Sequence, residues 1–254
     1  MERNDRAAAV TFFSSDSFVP GVPITLGDDA AQHARVIRIG SGDAVELRDG
    51  RGCAARGVLA RVAKRSLTVD VTETWEIATL PPVHMLVPVA DRDRMLYLAE
   101  KVTELGATSW RPVMWRRSRS VGPAGDGPAF QSRLKGRMIS ALTQSDGGWL
   151  PELFPAAPVQ RAVAATPDGP RVLLDAAADM SLLSLDLSGP VSIAVGPEGG
   201  LDTRERDEMI EGGFTPVSLV GGTLRFETAG IAALAIVRAM LGTVSADANQ
   251  IEGT

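Results

Sequence analysis

The amino-acid sequence predicts an α/β protein of two domains, a small β-barrel over residues 1–79 and a parallel sheet covered by helices over residues 80–254. From Thr11 to Glu73, short apolar segments are separated by Gly/Asp turns, which is typical of a small antiparallel barrel. After Leu80, apolar runs of strand length alternate with helical patterns, which favours a parallel sheet. The segment WEIATLPP, with two prolines and no helical period, indicates the connection between the domains.

One helix interrupts the barrel pattern. It is predicted to start at Asp28, whose carboxylate can cap free N–H groups, and to run to Gly40, since glycine suits a left-handed helix exit. Arg35 and Arg38 would then lie on one face of this helix.

The residue composition disfavours several classes of protein. The single cysteine, Cys53, cannot form an internal disulfide, and the distant His33 and His84 lack the spacing of zinc ligands, so no metal site is expected. No apolar run approaches the ~20 residues that span a bilayer, and the charged N-terminus is not followed by an apolar signal segment. The sequence is therefore expected to be a soluble, cytoplasmic protein without a membrane partner.

The charge of the chain is distributed unevenly. Its net charge is −5, yet residues 92–137 hold ten Lys/Arg against four Asp/Glu, which is a local excess of +6. Residues 138–254 hold six against fifteen, which gives −9. A basic segment inside an acidic chain is compatible with a polyanionic partner, but basic patches also occur on ordinary solvated surfaces.

Two glycine-rich turns each follow a predicted buried strand. The strand 191–195 runs into residues 196–200, and the strand 215–220 runs into the segment 221–228, so two adjacent strand ends are expected to carry the two loops. In open α/β sheets, the carboxyl ends of strands form the ligand crevice, and glycines let the backbone approach a ligand closely. The first turn lacks the Gly-Lys-Ser/Thr of a phosphate loop and the spacing of a dinucleotide site. Asp202 and Glu205 are predicted to cap the next helix as a capping box.

The pair GPEGG and LRFETA, about twenty-five positions apart, resembles the cofactor loops of the RsmE family within the SPOUT class of RNA methyltransferases. The segments PVADRDRMLYLAEKVTELGAT, ISALTQS and HARVIRIGSGDAVELRDGRG extend the resemblance from about Phe12 to Leu241. It implies S-adenosylmethionine-dependent N3-methylation of a uridine in 16S ribosomal RNA of the small subunit. It also implies a trefoil-knotted parallel sheet, a PUA-like N-terminal barrel and a homodimer.

On this resemblance, the loops 196–200 and 219–229 and the end of the strand 171–175 are expected to hold S-adenosylmethionine. The cofactor-binding residues are then Leu174, Val195, Gly196, Pro197, Glu198, Gly199, Gly200, Leu219, Gly221, Leu224, Thr228 and Ala229.

Methyl transfer to uridine N3 requires removal of the N3 proton and a methyl carbon held in line with N3. Glu227 is the preferred proton acceptor, although its negative charge could instead only stabilise the first turn of the last helix through the helix dipole. Glu198 is a weaker candidate, because a carboxylate in a turn more often accepts hydrogen bonds from nearby backbone N–H groups. Arg225 could stabilise the uracil anion or pair with Glu198. Cys53 lies in the predicted barrel, which disfavours thiolate-dependent methylation at carbon 5.

RNA contacts are expected from the barrel and from the basic segment. The residues expected to contact RNA are Arg35, Arg38, Arg116, Arg117, Arg119 and Gln144. Trp115 is the best candidate for stacking on bases. Two departures from the family pattern bear on these contacts: Phe226 interrupts the usual LRTETA, and Asp146-Gly147 replaces Gly-Arg after Gln-Ser.

Two other functions stay open at this point. The cofactor loops alone do not determine which atom of the RNA is methylated, so a SPOUT enzyme that modifies a ribose 2′-hydroxyl is compatible with the sequence. The two departures also leave room for a non-catalytic RNA-binding protein of ribosome assembly.

Overall fold

The computed structural model describes residues 10–118, 127–219 and 222–251, except for the side chains of 243–251. The chain forms two compact units. The first contains the chain up to Thr79 together with Ile139–Leu150, and the second contains Leu80–Met138 and the chain from Pro151 onward.

The first unit is a curled five-stranded sheet with one helix. Its elements are β1 (Val10–Phe13), β2 (Pro23–Leu26), α1 (Asp28–Val36), β3 (Ala44–Arg48), β4 (Cys53–Val62) and β5 (Leu67–Glu76). The strand order is β1-β3-β4-β5-β2. All pairings are antiparallel except β1 with β3, where the predicted antiparallel pattern is wrong. The chain between these two strands includes β2 and α1, which is long enough to return it in the parallel direction.

Helix α1 begins at Asp28, as predicted, but its N-cap and its end differ from the prediction. Gly27 is the N-cap residue, and Asp28 lies in the first turn, where its negative charge complements the helix dipole. The helix ends at Val36, and Arg38 rather than Gly40 adopts the left-handed conformation, with φ 61°. Arg38 is therefore outside the helix and does not share a helical face with Arg35.

The second unit is a seven-stranded sheet with helices. Its elements are β6 (Val83–Pro88), α2 (Arg92–Glu104), β7 (Ser109–Met114), α3 (Pro128–Gln144, of which residues 139–144 belong to the first unit), β8 (Glu152–Leu153), β9 (Ala157–Pro158), α4 (Val159–Ala164), β10 (Arg171–Leu174), β11 (Val191–Val195), α5 (Thr203–Glu211), β12 (Phe214–Val217) and α6 (Phe226–Ile251). The strand order is β12-β10-β11-β6-β7-β8, and β9 also pairs with β7. Every pairing is parallel, so the predicted parallel sheet is confirmed.

Helices cover both faces of this sheet, as the alternation of side chains along β11 shows. Ala194 packs in a core cluster with Met209 of α5 and Val159 of α4. The next residue, Val195, faces α6, where a Cβ atom on Gly230 would lie 3.5 Å from its side chain. None of the helices in the described residues combines the length and the apolar composition that a bilayer crossing requires.

Candidate active site

A cavity of about 570 Å³ opens at the carboxyl ends of β10, β11 and β12. Three chain segments and one helix form its wall. The lining residues are Arg94, Leu174, Asp175, Ala176, Ala177, Val195, Gly196, Pro197, Glu198, Gly200, Leu201, Val217, Leu219, Gly222, Thr223, Leu224, Arg225, Phe226 and Ala229. The two glycine-rich turns that the sequence singled out thus line one cavity.

The first turn, residues 196–201, is closed by a hydrogen bond from the Gly200 N–H to the Pro197 carbonyl, with an N···O distance of 2.9 Å. Gly200 has φ +76°, a conformation that residues with a Cβ atom rarely adopt. A Cβ atom on Gly199 would lie 2.9 Å from the carbonyl oxygen of Arg117. Glycine at these two positions therefore allows the turn to form and to pack against the chain that follows β7.

The two turns do not follow adjacent strands. β10 lies between β11 and β12, and the chain just after it, residues 175–177, contributes to the cavity. The Asp175 carboxylate accepts hydrogen bonds from Arg206 Nε at 2.7 Å and from the Ala177 N–H at 2.9 Å. The expectation of two neighbouring strand ends is thus wrong, because a strand earlier in the chain inserts between them.

Most of the residues expected to bind the cofactor line this cavity. Nine of them do so: Leu174, Val195, Gly196, Pro197, Glu198, Gly200, Leu219, Leu224 and Ala229. Gly199 lies in the first turn and Thr228 in the first turn of α6, and neither is on the cavity wall. Gly221 lies outside the described residues.

The two expected catalytic residues have different surroundings. Arg225 lines the cavity, its residue is exposed, and its guanidinium has no ion pair with a carboxylate of the described residues. Glu227 is only 7% exposed and is not on the cavity wall. Its Oε2 atom is buried and has no hydrogen-bond partner among the described residues.

Arg94, at the start of α2, is a site residue that the sequence analysis missed. It lines the cavity and forms an ion pair with Glu198, and its Nε atom lies 3.8 Å from Oε1 of Glu227. Arg94 is thus one partner of Glu198, and Arg225 forms no ion pair with a carboxylate of the described residues, so the alternative in which Arg225 pairs with Glu198 is wrong. The available signal was an arginine in the first turn of a helix that follows a buried strand, since such turns lie at the crevice of an α/β sheet.

The chain after β7 lies against the first turn. Arg117 Nη1 donates a hydrogen bond to the Leu201 carbonyl at 3.2 Å, and Arg116 Nη1 lies 3.7 Å from the Asp202 carboxylate. Arg119 lies outside the described residues. This part of the basic segment and the first glycine-rich turn are therefore packed together in the same unit.

Glu205 does not complete a capping box. Asp202 caps α5 by accepting a hydrogen bond from the Arg204 N–H, as expected, but the Glu205 carboxylate accepts the backbone N–H of Arg116 at 2.8 Å. Glu205 is 6% exposed, and its burial raises the pKa of this carboxyl group, against the lowering effect of the Arg116 hydrogen bond. The nearby Asp202 adds to the increase in pKa.

Replacing Glu205 by Gln should change the pH dependence of stability. The pKa of Glu205 in the folded protein lies above its unfolded value of about 4.5, so the folded protein binds this proton more tightly than the unfolded chain does. As the pH rises from the unfolded pKa through the folded pKa, Glu205 loses its proton and the free energy of unfolding decreases. Glutamine keeps an oxygen that accepts the Arg116 N–H and does not ionise, so it avoids this loss of stability. We expect the stability of Glu205→Gln relative to the wild type to increase from pH 4 to pH 7, as measured by urea unfolding.

Glu205→Ala is the control for this prediction, because it removes the acceptor as well as the charge. It should destabilise the protein at every pH, by about 1–3 kcal/mol for a buried N–H left without a partner. Parallel pH profiles for the wild type and Glu205→Gln would contradict the conclusion that burial raises the pKa of Glu205.

Trp115 does not stack on RNA, and that prediction is wrong. It is 4% exposed and packs in the core cluster with Leu86 and Val113. Trp115 follows Val113 by two positions, so both side chains point to the same buried face of the sheet.

In the first unit, α1 and the hairpin between β4 and β5 bring five cations together. Arg35 Nη1 donates hydrogen bonds to the carbonyls of Lys64 and Ala63, and Ser41 Oγ bonds to the Ala60 carbonyl, which fixes the turn after α1 against β4. We call this set the barrel cation cluster: Arg35, Arg38, Arg61, Lys64 and Arg65. All five residues are exposed, and none forms an ion pair with a carboxylate of the described residues. Gln144 is exposed at the end of α3, on the part of that helix that belongs to this unit.

A family model for the RNA methyltransferase domain matches residues 78–238, which is more than half of the chain. The chain belongs to this RNA methyltransferase family. A second model, the RNA methyltransferase PUA domain, matches residues 26–72. The predicted resemblance to the RsmE family and the fold that it implied, a SPOUT-type parallel sheet preceded by a PUA-like domain, are confirmed by these matches and by the relatives below.

Relatives in sequence and structure cover almost the whole chain. Ribosomal RNA small subunit methyltransferase E of Mycobacterium bovis is 27% identical over 241 residues, which is 91% of each chain. The same-named protein of Neisseria gonorrhoeae, solved with S-adenosylmethionine, superposes with a TM-score of 0.83 at 24% identity, over 91% of this chain and 98% of that one. A probable rRNA methyltransferase of Porphyromonas gingivalis superposes with a TM-score of 0.78 at 27% identity, over 92% and 99%.

Proposed function

We propose that the protein is an S-adenosylmethionine-dependent methyltransferase that modifies N3 of a uridine in 16S ribosomal RNA of the small subunit. The observation that carries the proposal is the single cavity lined by both glycine-rich turns, at the end of a parallel sheet of the RNA methyltransferase family. The small-subunit methyltransferases E among its relatives support the substrate class, and the Neisseria gonorrhoeae structure supports the cofactor.

The residues of the cavity fit this cofactor. Leu174, Leu219 and Leu224 would supply apolar surface for the adenine ring. The turn 196–200 would supply backbone groups that a ligand can approach closely, because three of its five residues are glycines without a side chain. Bound S-adenosylmethionine would supply an electrophilic methyl group. The protein then has to orient the uracil and accept its N3 proton.

Arg225 is proposed to bind the uracil and stabilise its developing negative charge, because it lines the cavity and its guanidinium has no ion-pair partner among the described residues. Glu227 is proposed as the proton acceptor. Its Oε2 atom is buried behind the wall, so this role requires the segment 222–226 to shift when substrate binds. The N–H of the substrate would give that oxygen the hydrogen-bond donor that the described residues do not.

The barrel cation cluster and the cations after β7, Arg116 and Arg117, are proposed to bind phosphates of the RNA. Exposed cations can release counterions from RNA when they bind its phosphates, which makes the affinity depend on salt. Gln144 and Arg119 are retained as proposed RNA contacts, and a homodimer is proposed from the family resemblance.

Replacing three members of the barrel cation cluster together, Arg61→Ala, Lys64→Ala and Arg65→Ala, should weaken RNA binding. If each cation contacts one phosphate, the slope of log K against log salt should fall by about 2, at roughly 0.7 per contact on single-stranded RNA. The slope is measured by fluorescence anisotropy over a salt series. Arg161→Ala, an exposed arginine of α4, is the control; a slope that stays the same in the triple variant would remove the cluster from the RNA interface.

Two measurements test the function as a whole. Calorimetric titration with S-adenosylmethionine should show one site per chain, and no binding would favour a non-catalytic protein of ribosome assembly. Mass-spectrometric nucleoside mapping of ribosomal RNA from a deletion strain should show loss of one 3-methyluridine. Loss of a 2′-O-methylated nucleotide instead would favour a SPOUT enzyme that acts on ribose.

A further inference from the structure

Arg94 contacts two carboxylates that come from different loops of the cavity. Its Nη1 atom pairs with Glu198 of the first turn, and its Nε atom lies 3.8 Å from Glu227, at the start of α6 after the second turn. The side chains of Glu198 and Glu227 are 19% and 10% exposed, so both ion pairs are largely shielded from solvent. Arg94 is also the residue through which α2 reaches the cavity wall.

The topology of the sheet explains why α2 brings a cation to this point. β6 pairs with β11, so the carboxyl ends of both strands lie side by side, and α2 begins three residues after β6 ends. The Asp91 carboxylate caps α2 by accepting the N–H of Arg94 at 3.1 Å, which fixes the backbone from which the guanidinium extends. The nitrogens Nη1 and Nε belong to one rigid plane, which lets one arginine serve two acceptors, whereas lysine offers a single point charge.

We propose that Arg94 is a positioning residue that fixes the two cofactor loops relative to each other by pairing with Glu198 and Glu227 at the same time. The proposal rests on the proposed function for its catalytic meaning. The structural part concerns the free protein: without Arg94, the ion pairs that join the first turn to the start of α6 would be lost, and both loops would open more often.

Hydrogen exchange of the free protein, followed by mass spectrometry, tests the structural part. Two amides report on the loops, because the Gly200 N–H bonds to the Pro197 carbonyl and the Ala229 N–H bonds to the Arg225 carbonyl, each at 2.9 Å. Arg94→Ala should increase exchange at both amides by about tenfold, which corresponds to the loss of one charge-assisted hydrogen bond to Glu198 and of the ion pair with Glu227. Arg94→Lys should restore protection in part.

The single carboxylate variants make the test specific. Glu198→Gln should increase exchange mainly at Gly200, and Glu227→Gln mainly at Ala229, whereas Arg94→Ala affects both. The control is Arg137→Ala, which removes an exposed arginine whose guanidinium lies 3.4 Å from Glu100 of the same helix α2, and it should change neither amide. Unchanged exchange in Arg94→Ala, an effect on one loop only, or an equal effect of Arg137→Ala would overturn the proposal.

Titration with S-adenosylmethionine separates this inference from the proposed function. In Arg94→Ala we expect the Kd to rise about tenfold and the single-turnover methylation rate at saturating cofactor to fall further, since both loops must close around the reacting atoms. If the wild type bound no cofactor while the exchange pattern held, the proposed function would fail and the role of Arg94 in joining the loops would stand. A wild-type Kd and rate in Arg94→Ala would overturn the positioning role.

Discussion

Arg225→Ala should reduce the rate of methyl transfer by about 10²–10³-fold, the loss typical of one donor that stabilises charge developing in a transition state. Arg225 lines the cavity and its guanidinium has no ion pair with the described residues, so its charge is available to the substrate. Because the residue is exposed, its truncation should leave the melting temperature within a degree or two. The measurement is single-turnover transfer of a labelled methyl group to ribosomal RNA at saturating cofactor.

The matched control for Arg225→Ala is Arg204→Ala, which removes an exposed arginine of α5 outside the cavity wall. It should keep the wild-type rate. Arg225→Lys should recover part of the activity, since the charge is retained but the planar fork is lost. A rate within twofold of the wild type in Arg225→Ala would remove this residue from the mechanism.

Gly200→Val should weaken S-adenosylmethionine binding by about tenfold or more. The φ of +76° at Gly200 costs an L-residue about 1–2 kcal/mol, and a β-branched side chain is disfavoured further. In the free variant the turn would relax to a negative φ and break the hydrogen bond to the Pro197 carbonyl, so binding would have to restore the strained form. Calorimetric titration of folded protein measures the change.

Gly189→Val provides a control with the same kind of backbone strain. Gly189 has φ +71°, lies in the turn before β11 and is not on the cavity wall, and a Cβ atom there meets no atom within 4 Å. We expect it to lower stability by a similar amount while the cofactor Kd stays unchanged. Equal Kd values for Gly200→Val and the wild type would show that the conformation of this turn does not control cofactor binding.

The sequence predicted the parts of the site that depend on local pattern. A buried run of five apolar or small residues followed directly by Gly196-Pro197-Glu198-Gly199-Gly200 indicates a strand that ends in a turn, and strand ends in parallel sheets form the crevice. Neighbouring residues are enough to indicate such a strand end. Nine of the twelve residues expected to bind the cofactor line the cavity for this reason.

The missed features all depend on residues distant in the chain. Arg94 reaches the cavity because β6 pairs with β11, more than one hundred positions away. Glu205 has the spacing of a capping box, but the chain after β7 supplies a different donor, the Arg116 N–H. Trp115 sits beside two arginines in the sequence, yet strand alternation turns it into the core.

Periodicity and glycine placement act over a few residues, so the parallel sheet, the small N-terminal β domain and the two glycine-rich loops could be predicted before the fold was known. The folded chain was needed to show that β10 lies between the two loop-bearing strands, that Glu227 is buried, and that Arg94 contacts both loops. Strand order and ion-pair partners follow from how distant segments pack together, and local spacing carries no information about either.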